Sequence, residues 1–277
     1  MQTNLAEWQA ILLCVVALAI FIRVYGRMLL HIQDRGGEVR AKVLQQPDTL
    51  VTLVLMFFFA APLINAITKS AAANPPEAVP AAGNSINILF SSLMMGVIPF
   101  VIVSFMVFRE VRVETLFGLK RMRLGRVLVN ALALLLAALP AVFLCGMLTQ
   151  QLLGENAESQ PLVELFHKAK ETGDFNTLWQ IAVSAVVVAP LVEEIVFRGY
   201  FYPALKRHIG GVHSAWITAF LFGAIHGNLL SFPGLTVLAF ALTIAFERTG
   251  SLLVCIGMHA GFNALSLLAM WNMNPTP

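Results

Sequence analysis

The sequence predicts an all-α polytopic membrane protein, a helical bundle of about eight transmembrane helices. Hydrophobic residues make up 58% of the 277 residues and charged residues only 12%, and the mean hydropathy is +0.79. Soluble domains carry roughly 25% charged residues, so this chain cannot cover a soluble surface of its size. About eight spans of ~20 residues would account for the apolar share. Composition therefore excludes a soluble enzyme, a disordered chain and a soluble repeat protein.

The apolar runs that form these spans follow one another along the chain. The third and fourth are the clearest, whereas the sixth and seventh are short and are separated by a turn signal at Ser231-Phe232-Pro233-Gly234. A stretch rich in Ala, Pro and Asn at 70–85 predicts a loop, and a polar stretch at 150–177 predicts a loop with some helix. The eight runs lie near 8–26, 50–68, 86–108, 126–149, 178–200, 213–229, 232–246 and 251–271.

Basic residues are concentrated in the loops that would share one side of the membrane. These loops, 27–49, 109–125, 201–212 and 247–250, hold 15 of the 18 Lys and Arg residues when the adjoining span ends are included. Because cytoplasmic loops carry an excess of Lys and Arg, the sequence predicts an inner-membrane protein with both termini outside. The net charge of +3 is too small to indicate nucleic acid as a partner.

Polar side chains interrupt the last apolar runs, where a buried charge costs roughly 2.5–3.5 kcal/mol. Glu194 and Arg198 are four residues apart and share a helix face, whereas Glu193 points about 100° away. One carboxylate can therefore pair with the arginine while the other stays free. An ion pair that closes a helix end is the alternative interpretation, but it leaves Glu193 without a partner.

Two further polar clusters each contain a histidine in an apolar setting. His226 ends the run that contains Phe222, and His259 lies four residues before Asn263 on the same helix face. Interhelical hydrogen bonding is one use of such residues. With the glutamates they also supply a general base, imidazoles that orient water or bind a metal, and donors for an oxyanion. That set suits hydrolysis, and a proton-coupled transporter could use it as a relay.

The order and spacing of these motifs resemble the CPBP family of CAAX proteases and bacteriocin-processing enzymes, also called the Abi family. The resemblance covers about 178–270, within a predicted catalytic helical core at 126–277 that follows N-terminal helices and cationic loops at 1–125. It implies an intramembrane endopeptidase that hydrolyses a peptide bond in a membrane-associated protein or peptide. The motifs are Glu193-Glu194 with Arg198, Phe222 with His226, and His259 with Asn263.

The resemblance also implies residue roles. Glu193 would activate the attacking water with help from His226, while His259 and Asn263 would complete the site as oxyanion donors or metal-site members. A divalent metal such as zinc, with Glu193, His226 and His259 as candidate ligands, stays open beside a metal-free glutamate mechanism. The predicted catalytic residues are Glu193, Glu194, His226, His259 and Asn263, supported by Arg198 and Phe222. A non-catalytic immunity or scaffold protein is the alternative, and the sequence leaves the oligomeric state open.

Helix length sets a condition on this site. His226 lies roughly 20 Å along its helix from His213 at 1.5 Å per residue. Glu193 reaches a matching depth only if its own helix continues past Gly199 to about Lys206. An interior proline kinks or ends a helix, so we expect a continuous helix with a kink at Pro203.

Overall fold

The computed structural model describes residues 5–71, 85–153 and 161–272. Within these ranges the chain forms twelve α-helices and no strand, which confirms the all-α prediction. Seven stretches are long and apolar enough to cross a membrane. The polar stretch at 150–177 contains a helix, as expected, and the loop predicted at 70–85 falls mainly outside the described residues.

The helices are numbered in chain order. Two π-helical turns, Ser184–Val188 and Ile195–Phe201, connect the eighth, ninth and tenth helices, and a 3₁₀ turn at Ala41–Val43 precedes the second. The α-helices are α1 (Leu5–Arg35), α2 (Gln46–Ala71), α3 (Ser85–Met95), α4 (Val97–Phe108), α5 (Val113–Leu116), α6 (Leu124–Leu153), α7 (Pro161–Thr172), α8 (Phe175–Val183), α9 (Ala189–Glu194), α10 (Tyr202–Ile225), α11 (Phe232–Thr249) and α12 (Leu252–Asn272).

The helix that carries both glutamates continues from α8 through α9 into α10. Helical geometry extends beyond Lys206, which confirms the expected continuation. The chain leaves helical geometry at Gly210, where φ is 79° and ψ is 168°. Such a positive φ is accessible to glycine at little steric cost, so the sharp break falls at Gly210 and not at the predicted Pro203.

The two arms of this helix are antiparallel. Arg198 and Phe222 each lie twelve residues from Gly210, and the guanidinium of Arg198 lies 4.7 Å from the centre of the Phe222 ring. The chain must therefore double back at Gly210 for these side chains to meet. The stretch Phe175–Ile225 is 51 residues long, so with a reversal at Gly210 the seven candidate stretches are consistent with the predicted bundle of about eight helices.

Both π-helical turns end two residues before a proline. Pro190 follows the first turn and Pro203 follows the second. Proline has no N–H to donate and its ring clashes with the carbonyl four residues earlier. A wider π turn relieves that clash without ending the helix. The glutamate pair lies between the two turns, in a short α-helical segment.

The cationic loops lie together at one end of the bundle. The backbone N–H of Glu38 donates to the carbonyl of Glu247 over 3.0 Å, and the N–H of Leu252 donates to the carbonyl of Phe117 over 2.8 Å. These bonds connect the loops after α1, after α4 and after α11. The loops that the charge pattern assigns to one side are therefore neighbours.

One hydrophobic core joins helices from both sides of residue 125. The rings of Phe59 in α2 and Phe197 are 4.7 Å apart. The hydroxyl of Tyr25 in α1 donates to the carbonyl of Leu134 in α6 over 2.7 Å. The N-terminal helices thus pack directly on the helices that carry the motifs, and the division at residue 125 stays a prediction about function.

Candidate active site

A buried ion pair lies at the centre of the site. Nη1 of Arg198 donates to Oε1 of Glu194 over 2.9 Å, and both side chains are 0% exposed. The other two nitrogens of the same guanidinium contact α11. Nη2 donates to the carbonyl of Ala239 over 2.8 Å, and Nε donates to the hydroxyl of Thr243 over 3.4 Å. The predicted i,i+4 pair is confirmed, and it fixes α9 against α11.

His259 lies between the two glutamates. Its Nδ1 is 3.0 Å from Oε1 of Glu194, and its Nε2 is 3.8 Å from Oε2 of Glu193. An ionised carboxylate only accepts hydrogen bonds, so Nδ1 is the donor to Glu194. That bond orients the ring and directs Nε2 towards Glu193.

Glu193 is the less constrained of the two glutamates. Its side chain is 15% exposed, and no described residue donates a hydrogen bond to its buried Oε2. Buried polar atoms are nearly always paired, and an unpaired one calls for an explanation such as water or a catalytic role. Oε2 of Glu194 also lacks a donor among the described residues, but its Oε1 accepts from Arg198 and His259. Glu194 is therefore the held carboxylate and Glu193 the less constrained one, as the helix spacing predicts.

Phe222 brings the second histidine into the same region. The centre of its ring is 5.2 Å from the ring of His226 and 5.6 Å from the ring of His259. Nδ1 of His226 is 2.8 Å from the carbonyl of Phe222. Because a carbonyl accepts, Nδ1 is the donor, and in a neutral imidazole Nε2 is then an acceptor. The three sequence motifs therefore meet around one aromatic ring.

Comparison with known proteins addresses the same region. Residues 175–265 match the family model for type II CAAX prenyl endopeptidases, Rce1-like. The resemblance to the CPBP family is confirmed. Over 185 residues the chain is 24% identical to "Putative membrane peptidase YdiL" from Bacillus subtilis (strain 168), an alignment that covers 66% of this chain and 73% of that protein. No solved structure matches. At the level of the CPBP family, these matches support a membrane endopeptidase.

Asn263 departs from the grouping expected for a CPBP site. Its amide donates to the carbonyl of Ala185 over 2.7 Å, in the first π turn. That turn pairs the N–H of Ala189 with the carbonyl of Ser184, five residues back. The next bond in this register would join residue 190 to Ala185, but Pro190 has no N–H. Asn263 thus supplies the donor that the proline lacks, three residues before the glutamates.

Asn263→Ala is expected to lower the free energy of unfolding by about 1 kcal/mol, because the carbonyl of Ala185 loses its donor. In the double variant Asn263→Ala/Pro190→Ala, the new N–H of residue 190 can serve that carbonyl, so stability should recover. Unfolding of both variants by titration with a denaturing detergent measures this. If Pro190→Ala restores no stability, then Asn263 does not replace the N–H that Pro190 lacks.

A zinc ion needs three protein ligands in a catalytic site, and Glu193, His226 and His259 are the predicted candidates. Among the residues that the structure describes, no group of three His, Cys, Asp or Glu side chains is placed to hold a metal ion. Nδ1 of each histidine binds an oxygen, of Phe222 in one case and of Glu194 in the other, so only Nε2 of each ring is available to a metal. As placed, these residues do not fit a three-ligand site, and no reaction step is derived through a metal.

Removal of divalent metals is therefore expected to leave peptidase activity unchanged. Purified protein treated with a strong chelator and then exchanged into metal-free buffer should cleave at the untreated rate, and elemental analysis should find substoichiometric zinc. The untreated sample carried through the same exchange is the control. Loss of cleavage on chelation, followed by recovery on addition of zinc, would contradict this expectation.

Two buried carboxylates that sequence analysis did not identify anchor the same long helix nearer the cationic end. Each is about 1% exposed, accepts a hydrogen bond from a tyrosine of this helix, and pairs with a basic side chain. Asp48 lies just before the apolar run at 50–68, and Glu247 lies just after the run at 232–246. Their positions beside apolar runs could have identified them from the sequence. The groups are Asp48 with Tyr200 and Arg109, and Glu247 with Tyr202 and Lys206.

Proposed function

We propose that the protein is an intramembrane endopeptidase in which Glu193 activates a water molecule for attack on a peptide bond of a membrane-associated protein or peptide. The observation that carries the proposal is the contrast between two neighbouring carboxylates. Oε1 of Glu194 is bound by both Arg198 and His259, and only its Oε2 lacks a donor among the described residues. Oε2 of Glu193 has no hydrogen-bond donor among the described residues and lies 3.8 Å from Nε2 of His259. A general base must be free to take a proton from water.

The proposed reaction uses the free carboxylate twice. Glu193 removes a proton from water as the water oxygen bonds to the substrate carbonyl carbon, and the carbonyl becomes an oxyanion. The protonated Glu193 then gives that proton to the amide nitrogen as the C–N bond breaks. The acceptor Nε2 of His226 orients the water through its second hydrogen. His259 is held by its bond to Glu194, with its Nε2 directed towards Glu193.

The oxyanion role of His259 and Asn263 requires two changes from the described arrangement. Nε2 of His259 must carry a proton to donate, and the amide of Asn263 must leave the carbonyl of Ala185. Preorganised donors at the developing negative charge are usually the largest electrostatic contribution to such reactions. Substrate binding that releases Asn263 would supply one of them.

A cleavage assay in oxygen-18 water tests the proposal. The full chain is reconstituted in proteoliposomes with a library of membrane-anchored peptides, and products are identified by mass spectrometry. Hydrolysis places oxygen-18 in each new terminal carboxylate. Glu193→Ala at the same density is the matched control and should give no labelled fragments. Labelled products at the wild-type rate from this variant would refute the role of Glu193.

A non-catalytic scaffold is less well supported by the same geometry. In that case the polar groups serve as interhelical contacts, and each would be expected to have a partner. Glu194 fits that role through its bonds to Arg198 and His259, whereas Glu193 approaches His259 only to 3.8 Å and its Oε2 has no donor among the described residues. A proton relay would distribute polar groups along a path through both leaflets, whereas the motif residues gather around Phe222.

We further propose that the cationic loops face the cytoplasm of a cell with both termini outside. The excess of Lys and Arg in these loops is the physical reason. Fusions of a periplasm-active reporter and a cytoplasm-active reporter to each terminus measure the orientation. Activity of the cytoplasmic reporter at either terminus would refute this topology, and a fusion within the loop at 36–40 is the internal control.

A further inference from the structure

A second polar site lies at the cationic end of the bundle. A cavity of about 470 Å³ opens beside α1 and the last turn of α11, and none of the predicted catalytic residues lines it. Two apolar side chains, Val24 and Met28, form part of its wall. The other lining residues are basic: Arg23, Arg27, His31 and Arg248.

The positive charge of this cavity has no acidic partner in the described part of the chain. No carboxylate lines the cavity, and no described carboxylate pairs with its three arginines. Other basic residues at this end are paired, as Arg121 is with Glu38 and Lys206 is with Glu247. Glu247 precedes Arg248 in the chain, yet its carboxylate is engaged elsewhere. Uncompensated charges of one sign around a concave site attract an anion.

The charged face of α1 continues as an apolar surface. Val16 and Ile20 precede Arg23 and Arg27 at spacings of four, three and four residues, which keeps all of them on one helix face. Val16 is 48% exposed and Ile20 is 49% exposed. Acyl chains lie beside apolar helix faces, and anionic headgroups bind basic pockets between membrane helices. The succession from alkyl to guanidinium groups therefore matches the two parts of a phospholipid.

We propose that this cavity binds the phosphate-bearing headgroup of an anionic phospholipid, whose acyl chain lies along Val16 and Ile20. Arginine suits this ligand because its planar guanidinium can donate two parallel hydrogen bonds to one phosphate. The arginines come from two helices, so the bound lipid connects α1 to the end of α11. This site is independent of the peptidase proposal, because no residue is shared between them.

Lipid titration of the purified full chain tests the site. Protein in neutral detergent is titrated with phosphatidylglycerol, phosphatidylcholine or glycerol phosphate, and bound ligand is counted by native mass spectrometry. The variant Arg23→Gln/Arg27→Gln/Arg248→Gln should bind phosphatidylglycerol about tenfold more weakly or worse. The control Arg112→Gln/Arg123→Gln/Arg126→Gln removes three exposed charges from the same end and should stay within about twofold of wild type.

Three outcomes would overturn the proposal. Equal losses in the two triple variants would indicate diffuse attraction to the cationic end. Binding of glycerol phosphate as tight as that of phosphatidylglycerol would indicate a site for soluble phosphate. Equal binding of phosphatidylcholine would remove the requirement for an anion. Arg248→Gln alone, expected to weaken binding about threefold, supports or refutes the site if the triple variant does not fold.

Discussion

Glu193→Gln is expected to lower the rate of peptide hydrolysis by a factor of about 10² to 10⁴, the range that a positioned general base contributes. The amide keeps the size of the carboxylate but cannot take a proton from water. Since Oε2 of Glu193 has no donor among the described residues, the midpoint of thermal unfolding should remain near the wild-type value. Single-turnover cleavage in proteoliposomes and unfolding in detergent measure the two effects separately.

Glu194→Gln is the matched control, because it makes the same chemical change one residue further along. Here the amide replaces a 0% exposed carboxylate that binds Arg198 and His259. We expect loss of stability, since the arginine is left buried without its counter-charge, and loss of activity because His259 is no longer oriented. Reduced stability in Glu193→Gln with wild-type stability in Glu194→Gln would reverse the assignment of the two carboxylates.

The division between the glutamates was predictable because it depends on local geometry. Residues four apart share a helix face and neighbouring residues do not, so Glu194 and not Glu193 pairs with Arg198. The contact with His259 crosses 65 positions of the chain. It depends on the packing of α12 against α9, and only the order of motifs in the family resemblance indicated it.

The use made of Asn263 could not be predicted from spacing. Its partner is a carbonyl whose availability depends on a π turn and on Pro190. Hydrophobic periodicity reports which face of a helix is buried, but it does not report one extra residue in a turn. The sequence analysis assigned Asn263 a role towards the substrate, which stays a prediction, and it did not anticipate the bond to the backbone carbonyl of Ala185.

Proline and glycine signals predicted the path of the long helix only in part. Pro203 predicted a kink. The wider π turn before it accommodates the proline, which has no N–H to donate, and the helix continues. The reversal falls at Gly210, the residue whose backbone can adopt a positive φ. Sequence analysis named only Pro203 as an interruption, and the reversal at Gly210 was not predicted.

Arg198→Met is expected to lower the free energy of unfolding by about 3–5 kcal/mol, the range for breaking a buried pair by removing one partner. The substitution leaves the 0% exposed Glu194 without its cation, and it removes the bonds to Ala239 and Thr243 on α11. Methionine fills much of the volume, so the loss reports charge and hydrogen bonding more than a cavity. Titration with a denaturing detergent in mixed micelles measures it, and Arg126→Met, at an exposed arginine, should change little.

The double variant Glu194→Gln/Arg198→Met separates the charge effect from the loss of packing. With both charges gone, no uncompensated ion stays buried, so the pair of substitutions should cost less than the sum of the single ones. The coupling energy from this cycle should be about 1–3 kcal/mol. Additive losses would mean that the ion pair does not stabilise the helix contact. In that case the position of Glu193 would depend on the π turns and on Asn263 alone, and Asn263→Ala would reduce cleavage more than Arg198→Met.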